Sequence, residues 1–461
     1  MTIPRSDALV IFGATGDLAF KKIFPALQAL VQRGRLDMPV VGVGRSQWTL
    51  EQFKARAKES IEKHDAIDPA AFAKLASLLN YVDGDYLDPA TFANLRTALG
   101  TAQRPLYYLV IPPSAFGTVI AGLVKSGCNE NARIVVEKPF GRDLASAQEL
   151  NRTLHAHFSE QAIFRIDHYL GKEPVQNLIY FRFANPLLEA GWNNKYIESV
   201  QVTMAENFGA AGRGKFYEEA GAIRDIMQNH MLQVIACLAE DAPTGNDREA
   251  RRDQRARVLQ AVRTLTPADV VRGQYRGYRN ETGVAADSRV ETFAAIRFHI
   301  DNERWAGVPF YARAGKRLPV NAAEVLVRFK SPPQLVLDEK QKSVGNYFRF
   351  RLSPEVIVAL GTKFKKPGEA MVGEPIELVV CHQDSDVMGP YERLLGDAIN
   401  GDGNLFGRID SVEASWRIVD PILGNFTPVF EYEPNTWGPA EGDRITPDGG
   451  WHDPLSKEGC A

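Results

Sequence analysis

Cysteine is scarce in this sequence: Cys128, Cys237, Cys381 and Cys460 are the only four in 461 residues, and no two are close in sequence. That excludes a disulfide-stapled scaffold and the Cys-x-x-Cys spacing of a zinc site. The expected setting is a reducing, cytoplasmic compartment, and no metal is expected. Long apolar runs are also missing. No stretch approaches the roughly 20 residues needed to span a bilayer, and no basic segment with an apolar run behind it marks a secretory signal. Neither sign of charge dominates, with 54 Lys and Arg against 57 Asp and Glu and a formal net charge of −3. Such a balance offers no global attraction to nucleic acid or to an anionic membrane. An anionic ligand must therefore be held by a local cluster of positive charge.

What is present is ordinary globular composition, 44% hydrophobic and 24% charged, over a length that suits two large domains. From residue 8 to about 165, short apolar runs (8–12, 39–43, 106–111, 133–137 and 162–166) alternate with amphipathic segments (20–32, 53–63, 115–125 and 144–157). Continuous apolar strands separated by helices predict a Rossmann-like, doubly wound parallel sheet, α/β in class. After about residue 175 the pattern changes to longer alternating strands (198–205, 290–300, 324–330, 347–352 and 377–382) and one long helix over 217–240. This predicts a larger α+β domain with a mainly antiparallel sheet. The expected division is 1–175 for nucleotide binding and 176–461 for substrate binding and dimerisation. The Arg-rich stretch 247–263 reads as a solvated helix face, and 434–461 as a surface excursion.

The first apolar strand runs into Gly13-Ala14-Thr15-Gly16-Asp17-Leu18-Ala19 and then a helix. A glycine-rich turn of this kind lets backbone N–H groups approach a pyrophosphate at the positive end of a helix. The second strand closes on Gly44-Arg45-Ser46, where an NAD site usually offers an acidic residue to the ribose. Arg and Ser suit a 2′-phosphate instead, which favours NADP.

Three further clusters carry chemistry. Glu137-Lys138-Pro139-Phe140-Gly141 ends a buried strand, where open α/β sheets place ligands. In Arg165-Ile166-Asp167-His168-Tyr169-Leu170-Gly171-Lys172-Glu173, His168 and Lys172 are four apart and would share a face in a helical turn. With Tyr169 they supply donors for a phosphate dianion. In Arg224-Asp225-Ile226-Met227-Gln228-Asn229-His230, a helical wheel puts His230 with Ile223, Ile226, Met227, Val234 and Cys237, and puts Asp225, Gln228 and Asn229 on the opposite arc. A histidine on an apolar arc is ordinarily a core residue, so the wheel by itself assigns no role.

These strings, together with Pro309–Lys316 and Val412–Arg417, resemble the signatures of the glucose-6-phosphate dehydrogenase family, in family order, from residue 9 to about 423. The resemblance implies hydride transfer from C1 of glucose 6-phosphate to NADP⁺. It implies that His230 is the general base and Asp167 its supporting carboxylate. It places His168, Tyr169 and Lys172 on the 6-phosphate, and Lys138, Glu206, Asp225, Lys316 and Lys22 on the ring hydroxyls and O1. It assigns Gly13, Thr15, Gly16, Asp17, Leu18, Arg45, Ser46 and Lys138 to NADP. A homodimer or homotetramer is expected. Ser353 stands where some members place a ring-contacting Gln, and it is left out of the site. Glu-Lys-Pro after a Rossmann strand also occurs in sugar and inositol dehydrogenases of another family, but those act on unphosphorylated substrates and do not predict the 167–172 cluster.

Overall fold

The structure, a computed structural model, describes residues 4–245, 248–332, 345–368, 371–382 and 388–456. In chain order its strands are β1 (Ala8–Phe12), β2 (Val40–Gly44), β3 (Leu79–Asp83), β4 (Pro105–Leu109), β5 (Arg133–Val136), β6 (Ile163–Ile166), β7 (Ile197–Ala205), β8 (Val270–Tyr275), β9 (Phe293–His299), β10 (Pro309–Gly315), β11 (Ala322–Phe329), β12 (Tyr347–Ser353), β13 (Val356–Lys365), β14 (Gly373–His382), β15 (Phe406–Gly407) and β16 (Val429–Tyr432). The chain divides into two compact units. One comprises 1–173 with 244–252 and 387–413, and the other comprises 174–243, 253–386 and 414–461.

The first unit holds a seven-stranded sheet of order β15-β6-β5-β4-β1-β2-β3, parallel except for β15. Strand order turns back between β1 and β4, the switch point where doubly wound sheets bind dinucleotides. Alternate residues of β1 feed two cores. Leu9 and Ile11 pack with Ile23, Leu27 and Phe53, whereas Ala8, Val10 and Phe12 pack with Phe92, Val119 and Ile120. Burial on both faces is why these strands read as unbroken apolar runs. Each fully buried aliphatic or Phe side chain contributes about 1.5–3 kcal/mol.

The second unit holds a nine-stranded sheet of order β14-β13-β12-β11-β7-β10-β9-β8-β16. It is antiparallel apart from the β7/β10 and β8/β16 pairs. The fold class is thus the one expected, with a Rossmann-like α/β sheet and a larger, mainly antiparallel α+β unit.

Several local expectations are corrected. The single helix over 217–240 is three segments: Gly214–Ala222, a π-helical Ile223–Met231, and Leu232–Ala239. The break is at Gly221, with φ +63° and ψ 178°. The wider π turn also invalidates a 100° wheel. Gln228, Asn229 and His230 are all buried, at 6%, 8% and 4% exposure, so the polar arc is not a solvent face. In the Arg-rich helix Arg248–Ala261, Arg252 and Arg255 are buried rather than solvated, and Arg252 pairs with Glu249 at 3.0 Å. The described part of the tail is docked. Arg313 of β10 lies between the rings of Trp437 and Trp451 and pairs with Asp453 at 2.6 Å. Cys128 and Cys237 are buried and outside any disulfide, but Cys381 is disulfide-bonded, which the cysteine spacing did not announce.

Gly221 carries a structural prediction. A Cβ there would lie 2.4 Å from Glu291 Oε1. That carboxylate cannot retreat cheaply, because it accepts the Ile223 N–H and pairs with buried Arg272 at 2.8 Å. Gly221→Ala is expected to cost about 1–3 kcal/mol through a positive φ and a buried clash. Thermal melts of both proteins check this, and an unchanged melting temperature would contradict it.

Candidate active site

In the first unit the glycine turn, β2 and the ends of β5 and β6 supply the candidate residues. Gly13 has φ +77°, and a Cβ on it would lie 2.1 Å from the Val110 carbonyl oxygen, so only glycine lets β1 turn so tightly against the end of β4. Its N–H donates to Val43 O and to the Tyr86 hydroxyl at 2.9 Å, and Gly16 N–H returns to Gly13 O. The Ser46 hydroxyl donates to Thr15 Oγ1 at 2.9 Å, tying the end of β2 to the turn. Arg45 is exposed and forms no ion pair among the described residues, so its guanidinium remains available to an anion. Asp17 pairs with Lys21 one turn along, while Leu18 precedes a short π-helix, Ala19–Ile23, that carries exposed Lys22. A Gly-rich turn, a hydroxyl pair and a free guanidinium fit a 2′-phosphorylated dinucleotide.

At the carboxyl ends of β5 and β6 the polar groups converge. Lys138 follows β5 and is half-buried. The carboxylate before it, Glu137, accepts from the buried Tyr108 hydroxyl at 2.5 Å. Burial pushes Glu137 up to about 7, against the Tyr108 bond and the Lys138 charge. Asp167 follows β6 and accepts the Tyr169 N–H at 2.9 Å. Successive tight turns, Leu170 N–H to Asp167 O and Lys172 N–H to Tyr169 O, hold 167–172 ahead of the helix Glu173–Phe183. His168 and Lys172 therefore do not share a helix face, as the sequence suggested. Instead Lys172 Nζ sits 3.7 Å from the Tyr169 ring centroid, and the His168 ring stacks 6.3 Å from that of Tyr391. Burial lowers Lys172 to about 8, with Asp167 opposing the shift and Lys22 adding to it.

In the second unit the parallel register of β7 and β10 pairs Ala205 with Gly315. The next residue of each strand emerges side by side, and Lys316 Nζ bonds Glu206 Oε2 at 2.7 Å. Lys316 is buried, 4.9 Å from the Phe208 ring and 5.0 Å from the Tyr217 ring. Asp225 and His230 both lie in the π-helical segment, where the altered turn is itself a frequent mark of a functional site.

Sequence reasoning did not single out the tyrosines that bond these candidate segments, Tyr86 at Gly13 and Tyr108 at Glu137. Tyr86 follows β3, a strand hidden by its polar Asn80 and Asp83, and Tyr108 looked like one more apolar strand residue. A buried tyrosine opposite a strand-end carboxylate was the available signal.

The sheet order and the glycine turn define the fold of a dinucleotide-dependent oxidoreductase. A family model described as the NAD binding domain of glucose-6-phosphate dehydrogenase matches residues 10–177, and one described as its C-terminal domain matches residues 179–452. Glucose-6-phosphate 1-dehydrogenase 1 of Mycobacterium tuberculosis is 41% identical over 467 residues, covering 98% of each chain. A crystal structure of glucose-6-phosphate 1-dehydrogenase from Mycobacterium avium has a TM-score of 0.91 at 41% identity, covering 98% of this chain and 100% of that one. A structure of glucose-6-phosphate dehydrogenase in complex with its substrate glucose 6-phosphate has a TM-score of 0.90 at 35% identity, covering 98% and 100%. The chain belongs to the glucose-6-phosphate dehydrogenase family.

Proposed function

We infer that the chain oxidises β-D-glucose 6-phosphate at C1 to 6-phosphoglucono-1,5-lactone and reduces NADP⁺ to NADPH, the first step of the oxidative pentose phosphate pathway. The observation that carries this reading is the donor cluster at 167–172, with Lys172 poised over Tyr169 beside Asp167 at the carboxyl end of β6. NADP⁺ supplies the hydride acceptor when bound. The chain's own residues bind, orient and move the proton. His230 takes the proton from O1 as C1 loses its hydride, a task for a base whose ordinary pKa lies near the working pH. Asp167 supports the resulting imidazolium, as a carboxylate does in a His–Asp dyad. His168, Tyr169 and Lys172 hold the 6-phosphate, and Lys138, Glu206, Asp225, Lys316 and Lys22 hold the ring hydroxyls and O1. The turn Gly13–Leu18, with Thr15, Gly16 and Asp17, takes the pyrophosphate. Arg45 and Ser46 take the 2′-phosphate, and Lys138 also serves the cofactor.

No helix among the described residues is long and apolar enough to cross a membrane. The reading includes a cytoplasmic enzyme that assembles as a homodimer or homotetramer. On the second unit's sheet, edge strand β14 exposes Leu378 and Val380, at 53% and 67%, and its neighbour β13 exposes Phe364, at 58%, further along the pair. Exposed apolar groups on a sheet edge are a natural cover site for a second copy, and light scattering gives the assembly size.

The cofactor assignment is tested at Arg45. A charge-assisted hydrogen bond to the 2′-phosphate is worth about 1.5–3 kcal/mol. Arg45→Ala should therefore raise the KM for NADP⁺ roughly 10- to 100-fold and leave NAD⁺ use nearly unchanged. Equal losses with both cofactors would show that Arg45 is structural.

A further inference from the structure

Tyr217 has no role in the site as assigned above. It lies in the helix Gly214–Ala222, just before the Gly221 break, and is 2% exposed. Its ring packs edge-on to Tyr278, with centroids 6.1 Å apart. Its hydroxyl, however, has no hydrogen-bond partner among the described residues. Buried phenols nearly always find one, because an unpartnered hydroxyl retains its desolvation penalty.

The neighbours of this hydroxyl are informative. The Lys316 ammonium lies 5.0 Å from the ring centroid, and burial first, then the charges of the Asp225 and Glu206 carboxylates, push the phenol well above its usual range. Tyr432, by contrast, spends its hydroxyl inside the protein, donating to the Lys316 carbonyl at 2.6 Å. One buried tyrosine here is thus committed to the fold, and the other is left open among three residues assigned to the sugar.

We propose that Tyr217 is a further substrate-binding residue, whose hydroxyl completes its hydrogen bonding on a ring hydroxyl of the sugar and thereby helps select the sugar. The phenol is kept protonated by its surroundings, so it serves as a donor to a neutral oxygen at every working pH. Glu206 and Asp225 are acceptors when ionised, and Lys316 is a point-charge donor. Tyr217 adds a directional donor to that set.

The inference rests on the ring-hydroxyl roles proposed for Glu206, Asp225 and Lys316. The test therefore begins with the wild-type enzyme on glucose 6-phosphate, whose inactivity would sink that reading itself. Tyr217→Phe is then compared with wild type in kcat/KM for glucose 6-phosphate and for its 2-deoxy, 3-deoxy and 4-deoxy analogues. The variant should lose about tenfold on glucose 6-phosphate. For the one analogue that lacks the hydroxyl Tyr217 meets, it should lose almost nothing more, because that bond is already gone. Its melting temperature should not fall, since the hydroxyl has no protein bond to give up. Unchanged kcat/KM on glucose 6-phosphate would overturn the proposal. So would an equal loss on all four sugars, which would mark the hydroxyl as a support of the fold rather than a ligand of the substrate.

Discussion

His230→Asn should lower kcat by roughly 10²–10⁴ while leaving binding of glucose 6-phosphate little changed. Asparagine keeps a polar side chain of similar reach but cannot accept a proton near neutral pH, so it isolates the proton transfer from the packing. The position is demanding. His230 is 4% exposed within a π-helical stretch, and cavity formation or a lost hydrogen bond would register as instability. Steady-state kinetics must therefore accompany a melting curve. A folded variant that turns over at nearly the wild-type rate would return His230 to the core-histidine role its apolar neighbours first suggested.

Lys172→Ala should cost about 2–3 kcal/mol in kcat/KM for glucose 6-phosphate. The phosphate is remote from C1 and takes no part in bond making. Its binding energy serves to hold C1 and O1 in reacting geometry, so its loss appears in the specificity constant. Free glucose has no phosphate to lose, so the two sugars should converge in the variant, and converge further when His168 is also removed. The same lysine predicts a pH dependence. Burial has lowered its pKa to about 8, so the ammonium is complete below that value and is lost as the pH rises through it. The kcat/KM for glucose 6-phosphate, which reports the free enzyme, should fall on the alkaline side of about pH 8, and this limb should be absent for Lys172→Ala. A parallel drop for both sugars would place the phosphate elsewhere.

Much of this was legible in the sequence, for physical reasons that differ by region. Strands β1, β2, β4, β5 and β6 are covered on both faces and so stand out as apolar runs, and the Gly13–Gly16 turn and Glu137–Lys138 fall at their carboxyl ends. Strand β3 was missed because one of its faces is partly wet, as Asn80 and Asp83 show. Strand β10 was missed because it opens with Pro309 and carries Arg313, a buried cation whose partners include Trp437, Trp451 and Asp453 from the far end of the chain. No local pattern encodes such a partner. The same is true of Arg252 and Arg255, which composition alone assigns to solvent. The break at Gly221 and the π turn after it depend on Glu291, some 70 residues away. For that reason the helical wheel set His230 on the apolar arc and Gln228 and Asn229 on the opposite one, whereas all three are buried. The residues proposed for the site, by contrast, are read from short contiguous strings, and that reading does not depend on the bounds of the surrounding elements.

The most direct check of the account is the initial rate of nicotinamide reduction by the purified chain with glucose 6-phosphate, galactose 6-phosphate and glucose, each offered NADP⁺ and NAD⁺. The highest kcat/KM is expected for glucose 6-phosphate with NADP⁺, with a clear loss on removing either phosphate (that of the sugar or that on the cofactor ribose) and a further loss with the galactose epimer. Comparable rates with glucose and glucose 6-phosphate, or no reduction of NADP⁺ by glucose 6-phosphate in a folded sample, would contradict it.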